Sequence, residues 1–181
     1  IDLDKLRAHK DKVVGTMNTG LAGMARQRKV RTVTGSARLI SATELEIDSG
    51  ADMKLLRFEQ CIVAVGSQPV KLPGFPWQDP RVMDSTDALL LTDVPKELLV
   101  VGGGIIGLEM ACVYASLGSR VTVVEFMDQL MPGCDADLVK PLSDRLKKRG
   151  VAIHLGTKVA RVDAADDGLH ASFEGSSVPA A

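Results

Sequence analysis

Aromatic residues are scarce in this 181-residue chain: four phenylalanines, one tyrosine and one tryptophan, 3% in all. So few ring faces exclude a stacking platform for bases. An excess of charge is missing too. Lys and Arg number 22 against 23 Asp and Glu, for a net charge of −1, and no basic block is present to follow a phosphate backbone. No nucleic acid partner is therefore expected. No apolar run approaches the ~20 residues of a membrane helix, and no secretory leader opens the chain. The expectation is a protein with no membrane association, residing in the cytoplasm. The three cysteines, Cys61, Cys112 and Cys134, are far apart and form neither C-x-x-C nor C-x-x-x-x-C. That fits a reducing compartment better than a disulfide framework and offers no metal site. Cys61 lies in an apolar strand pattern and Cys112 in a helical one, so both are expected in the core. Cys134, after Pro132 and Gly133, is expected in a loop. The remaining composition, 45% hydrophobic and 25% charged, suffices for a packed core. The length suits one domain or one and a half.

The richest stretch is Leu98–Glu125, LLVVGGGIIGLEMACVYASLGSRVTVVE. An aliphatic run suited to a buried parallel strand leads into Gly102, Gly104 and Gly107 at G-x-G-x-x-G spacing. A helical segment follows, then a second apolar strand, Val121 to Val124, ending on Glu125. Each part suits a dinucleotide. Gly102 permits the tight turn, Gly104 lets the backbone approach a pyrophosphate, and Gly107 lets helix and strand pack closely. The helix N-terminus, with its unpaired N–H groups and dipole, favours the negative charge. Glu125 falls near the offset of about 20 residues expected of a ribose-binding carboxylate. A carboxylate there suits a free 2′-hydroxyl and repels a 2′-phosphate, and Phe126, Met127 and Asp128 provide no clamping cation. NAD is favoured over NADP, while the motif by itself leaves NAD and FAD open.

The flanking segments organise the chain. Asp2 to about Arg28 reads as a helix capped by Asp2 or Asp4, with Leu3, Leu6, Val13, Val14, Met17, Leu21 and Met24 near helical spacing. It is expected to be a packing helix with a polar outer face. Arg31–Thr34, Ala37–Ile40, Glu44–Ile47 and Lys54–Phe58 alternate apolar and polar residues as in an antiparallel meander, with a turn at Asp48, Ser49 and Gly50. Cys61–Val65 reads as a strand buried on both faces, ended by Gly66, Ser67, Gln68 and Pro69. Lys71–Pro95 is proline-rich, with a short helix near Ser85–Leu90. Asp135 or Asp137 should start a helix to Arg149, closed by Gly150. Val151–Leu155, Lys158–Val162 and Leu169–Phe173 complete a βαβαβ pattern with an attached hairpin. The fold expected is α/β: a Rossmann-like NAD-binding domain plus an incomplete part of an FAD-binding domain. The boundaries expected are 1–69, a connecting segment 70–93, and a domain at 94–181 that is unfinished at its C-terminus.

GLAGMA at Gly20–Ala25, AVGSQP at Ala64–Pro69, DSTDAL at Asp84–Leu89 and GGGIIGLE at Gly102–Glu109 together resemble the middle of the dihydrolipoyl dehydrogenases, a branch of the pyridine nucleotide–disulfide oxidoreductases. The resemblance covers essentially the whole chain. It implies FAD on an N-terminal Rossmann unit and NAD on a second, central one. For NAD it implies Gly102, Gly103, Gly104, Ile105, Ile106 and Gly107 at the turn, with Glu125 at the adenosine ribose and Val159 against the adenine. Glu109 is implied near the nicotinamide. For FAD it implies Ala37 at the adenosine end, and Ala64, Val65, Gly66 and Ser67 along the flavin.

The resemblance also implies lipoyl groups of a 2-oxo acid dehydrogenase or glycine cleavage complex as partners, and a homodimeric parent. That branch's redox cysteine pair and its acid–base His–Glu pair have no counterpart here; His9, His154 and His170 do not match. The chain is therefore expected to be a fragment that supplies the NAD platform and part of the FAD site, without catalytic residues or turnover of its own. The alternatives are a non-catalytic nucleotide-binding module and an NADH-linked sister flavoprotein disulfide reductase.

Overall fold

The computed structural model describes residues 1–175 and divides into two compact units. One comprises Ile1–Arg7 with the chain from Pro69 onward, the other Ala8–Gln68. Helix α1 (Leu3–Gln27) begins in the first and continues in the second. Asp2 caps it, its carboxylate accepting the Lys5 N–H at 3.1 Å, which satisfies one orphan donor of the first turn. No residue of α1 is buried. Leu6 packs against the core cluster, but Val13, Val14, Met17, Leu21 and Met24 are 44–66% exposed, so the expected packing face is covered only at its N-terminal end among the described residues.

The rest of this second unit is the meander. Strands β1 (Ser36–Ser41), β2 (Glu44–Asp48) and β3 (Met53–Arg57) pair antiparallel in that order. Register places Arg38 opposite Glu46 and Glu44 opposite Arg57, and both pairs close as ion pairs, at 2.6 and 2.8 Å. Opposed charges on a sheet face help hold register, each contributing well under about 1 kcal/mol when exposed. The turn falls at Asp48–Gly50, as expected, with the Gly50 N–H donating to the Asp48 carboxylate at 2.8 Å.

Two expectations fail here. Arg31–Thr34 and Cys61–Val65 are not strands, and Cys61 is exposed rather than a core residue. A two-faced strand exists only if neighbours accept its backbone ladder. Within the described residues no strand pairs with either run, and Ile62 is left 93% exposed.

The first unit carries the parallel sheet. Its short helix α2 (Ser85–Leu90) starts in a capping box: the Asp84 carboxylate accepts the Thr86 and Asp87 N–H groups, and Asp87 returns a bond to the Asp84 N–H. The DSTDAL motif thus has a local folding role. Strands β4 (Glu97–Val101), β5 (Arg120–Val124) and β6 (Ala152–His154) pair in parallel with β5 central. Helices α3 (Ile105–Leu117) and α4 (Ala136–Lys148) make the crossovers.

The core forms where apolar periods meet. Val121, Val123 and Val124 on β5, Leu108, Ala111 and Tyr114 on α3, and Val139 and Leu146 on α4 are all buried. The Tyr114 hydroxyl donates to the Ala88 carbonyl at 2.8 Å, tying α3 to α2; burial raises the phenol pKa. A hairpin of β7 (Thr157–Ala164) and β8 (Leu169–Gly175) completes the described unit. Cys112 is half-buried rather than fully in the core, and Cys134 is exposed, as expected. The parallel sheet, its crossover helices and the added hairpin are the Rossmann-like α/β arrangement expected.

The proline-rich segment before α2 is fastened to this hairpin. The Val162 N–H donates to the Gly74 carbonyl at 2.9 Å, and the Arg81 guanidinium donates to the Ala165 carbonyl at 2.9 Å. Arg81 also grips the Asp79 carboxylate with two N–H groups, at 2.9 and 2.8 Å, which holds the Asp79 pKa down at about 2 from its ordinary 3.8. Because folding lowers this pKa, the pair's contribution is full above pH 3.8 and drains as the pH falls through about 2. Titration of the Asp79 carboxyl by NMR is expected to give a midpoint near that value, rising towards the ordinary carboxylate range in Arg81→Gln. A midpoint unaffected by the substitution would refute the pairing.

Candidate functional site

The site is built at the C-terminal end of β4, where the chain turns into α3. Gly102 leaves the strand with φ +109°, a conformation only glycine adopts freely, and its N–H stays in the sheet by donating to the Val124 carbonyl at 2.8 Å. Gly104 caps α3 without any side-chain capping bond. The N–H groups of the first helical turn therefore point outward without a side-chain acceptor, as an anion-binding helix start requires. A Cβ placed on Gly104 would meet nothing within 4 Å; the space above it is open to a ligand. A Cβ on Gly107 would strike the Gly102 carbonyl and stand 3.3 Å from Val100. The three motif glycines thus serve three physical ends: backbone conformation, open approach and close packing.

Glu125 follows β5 and is 8% exposed. One carboxylate oxygen accepts the Gly103 N–H at 2.6 Å and the other accepts the Met127 N–H at 2.8 Å. Each oxygen has a further lone pair, so the carboxylate can accept from a ribose while holding the turn. The turn and the acid are brought together as the spacing implies. Their direct bond was not legible in the sequence. Val159 lies half-buried on β7, and two residues before it the Thr157 N–H bonds the Glu125 carbonyl at 2.9 Å, so β7 is stitched to the loop after β5. Ile105 and Ile106 are 62% and 58% exposed, and Glu109 is exposed one turn along α3. These three side chains present an open face beside the helix start.

The flavin-side residues are less organised. Ala37 sits on β1 opposite Ile47, while Ala64, Val65, Gly66 and Ser67 lie in an exposed segment outside any sheet. No described element gathers these five into a cleft. His9 and His170 are exposed and His154 is half-buried at the end of β6. No metal-holding group of His, Cys, Asp or Glu is found among the described residues, and no helix there is long and apolar enough to cross a membrane.

Sequence reasoning missed Leu130 and Met131. Pro132 and Gly133 mark the loop after β5 and suggest exposure. Leu130 is instead only 2% exposed, and the Met131 N–H donates to the Gly103 carbonyl at 2.8 Å. An isolated aliphatic residue in a loop gives no periodic signal by which to find it.

The pyridine nucleotide-disulphide oxidoreductase family model matches residues 2–180. Among relatives, the dihydrolipoyl dehydrogenase of Vibrio cholerae is 49% identical over 99% of this chain and 38% of its own length. That of Haemophilus influenzae is 48% identical over 97% of this chain and 37% of its own length. The leghemoglobin reductase of Vigna unguiculata is 38% identical over 96% and 34% respectively. Among solved structures, the HOCl-induced flavoprotein disulfide reductase RclA of Escherichia coli superposes with a TM-score of 0.81 at 27% identity, covering 98% of this chain and 41% of that one. The chain spans less than two fifths of the length of these relatives. With the family model covering all but the extreme ends, the chain belongs to the pyridine nucleotide-disulphide oxidoreductases.

Proposed function

We propose that this chain is the NAD platform, with part of the FAD site, of a dihydrolipoyl dehydrogenase. The observation that carries the reading is the arrangement at Gly103–Gly104: an open approach to an uncapped helix start, with a buried carboxylate bonded to the same turn. The residues fit a dinucleotide. Gly102, Gly103, Gly104, Ile105, Ile106 and Gly107 would hold the pyrophosphate, Glu125 the adenosine ribose, and Val159 one side of the adenine. Glu109 would lie toward the nicotinamide end, where a carboxylate favours a cationic ring. NAD supplies a two-electron hydride acceptor when bound. The chain's own groups supply backbone donors to the phosphates, acceptors to the ribose and apolar walls that exclude water.

For FAD, Ala37, Ala64, Val65, Gly66 and Ser67 would provide one edge only, and they do not form a cleft by themselves. In this reading residues 1–69 are the C-terminal half of an FAD-binding domain, 70–93 a connector, and 94–181 an NAD-binding domain. The substrates are lipoyl groups of a 2-oxo acid dehydrogenase or glycine cleavage complex. The whole protein is a homodimer, and this chain alone does not turn over.

Cofactor choice tests the site. A 2′-phosphate would place negative charge beside Glu125, with no Lys or Arg among Phe126, Met127 and Asp128 to offset it. NADH is expected to bind at least about tenfold more tightly than NADPH, a difference near 1.4 kcal/mol, when each is titrated by fluorescence or calorimetry. Equal or reversed affinities would remove Glu125 from the ribose.

A further inference from the structure

We propose that Leu130 is a positioning residue for the dinucleotide turn, acting through the peptide of Gly103; the inference rests on the NAD reading above. Gly103 is gripped on every side by the loop that follows β5. Its N–H donates to the Glu125 carboxylate at 2.6 Å, and its carbonyl accepts the Met131 N–H at 2.8 Å. Its third side is closed by packing: a Cβ on Gly103 would meet Leu130 Cδ2 at 2.5 Å and Glu125 Cβ at 3.2 Å. The Leu130 side chain therefore fills the space beside the Gly103 α-carbon where a side chain would stand.

Leu130 is well placed to act as a stop. It is 2% exposed and belongs to the cluster that includes Leu108, Val123, Val139 and Val151, so the rigidity of a close-packed core reaches the turn through it. Met131, next in the chain, takes a left-handed backbone conformation at φ +51°. A non-glycine residue holds that conformation where its surroundings enforce it, and here the residue is also tied through its N–H to the Gly103 carbonyl. Gly104, where a ligand would approach, follows directly. A shift of Gly103 moves the N–H groups offered to the pyrophosphate, and hydrogen bonds weaken steeply once distance and angle are lost.

The test is a double-substitution cycle on the full chain with Leu130→Ala, Gly103→Ala and the pair together. Three quantities are read: NADH affinity, thermal midpoint, and the chemical shift of the Gly103 amide proton. Leu130→Ala is expected to weaken NADH by about tenfold, the scale of one or two impaired hydrogen bonds, and to move the Gly103 amide resonance. Gly103→Ala should weaken NADH at least as much, because its methyl collides with Leu130. In the pair, the methyl enters the space the leucine vacated, so the loss should be smaller than the product of the single losses. Leu130→Met should restore both affinity and resonance.

A role confined to core packing predicts something else. Leu130→Ala would lower the midpoint and leave both the affinity of the folded protein and the Gly103 amide unchanged, and that result overturns the proposal. If Leu130→Ala does not fold, Leu130→Val shortens the side chain with less loss of volume, and an unmoved Gly103 amide in it overturns the proposal equally. If the unsubstituted chain binds no NADH, the NAD reading fails, and the amide resonance alone decides whether Leu130 positions Gly103.

Discussion

Gly107→Ala is expected to cost the parallel-sheet unit about 3 kcal/mol, the upper range for forcing a methyl into a packed site. The added carbon would strike the Gly102 carbonyl and lie 3.3 Å from both the Gly102 carbonyl carbon and the Val100 side chain. Two of these obstacles are backbone, which cannot rotate away as a side-chain tip can. Relief requires α3 to lift off β4, and the core contacts of Leu108, Ala111 and Tyr114 lift with it. Gly104→Ala is the necessary contrast. Its methyl meets nothing within 4 Å, and losing a glycine at the cap costs at most about 1 kcal/mol. That methyl would occupy the approach to the pyrophosphate. Urea unfolding should therefore separate the two: Gly107→Ala melts early, while Gly104→Ala unfolds near the parent's midpoint yet loses NADH by tenfold or more, a deficit of about 1.4 kcal/mol. If Gly104→Ala binds NADH normally, the open space is not the ligand's path.

What could be read in the sequence follows the range of the interactions that make each element. The βαβαβ order from Glu97 to His154, the short helix at Ser85–Leu90 and the turn at Asp48–Gly50 depend on residues a few positions apart, and all appear as expected. Arg31–Thr34 and Cys61–Val65 have strand composition, yet a strand is a pairing, and composition does not say whether the partner is at hand. The exposure of α1 has the same origin. Its apolar spacing is real, but a face packs only on another surface, and none among the described residues covers it from Val13 to Met24.

The site shows the same division. Glycine spacing and a terminal acid are one-dimensional signals, and they located the turn and Glu125. Which N–H groups the carboxylate reaches is decided by the fold, as is the placing of Leu130 beside Gly103, 27 positions away in sequence. The motif therefore understates its own dependence on the loop after β5. In this chain that loop donates to Gly103, accepts from Gly156 through the Met127 carbonyl at 2.8 Å and starts at Glu125, whose carboxylate holds the Gly103 N–H. The glycine turn, Glu125 and β7 form one bonded assembly rather than three separate parts.

That assembly makes Glu125→Ala a larger perturbation than the loss of a ligand contact. The carboxylate is buried and accepts two backbone N–H groups, and bonds to a charged acceptor contribute about 1.5–3 kcal/mol each. Truncation removes both acceptors and leaves the buried Gly103 N–H without a partner. Local relaxation and water recover part of the loss, so a net destabilisation of about 3 kcal/mol is expected, a fall in thermal midpoint of roughly 10 °C. On the proposed NAD reading, NADH affinity should fall as well, for two separable reasons: the ribose would lose its acceptor and the turn its anchor. Glu125→Gln distinguishes them. Its carbonyl oxygen can still accept from Gly103, while its amide turns a donor toward the Met127 N–H. It should therefore keep more of the midpoint than Glu125→Ala and still discriminate less strongly against NADPH, because the negative charge that repels a 2′-phosphate has gone. A thermal melt and paired NADH and NADPH titrations on both variants decide the matter. If Glu125→Ala melts with the parent, its bonds to Gly103 and Met127 do not anchor the turn. If Glu125→Gln keeps the full preference for NADH, charge repulsion is not what excludes the phosphate.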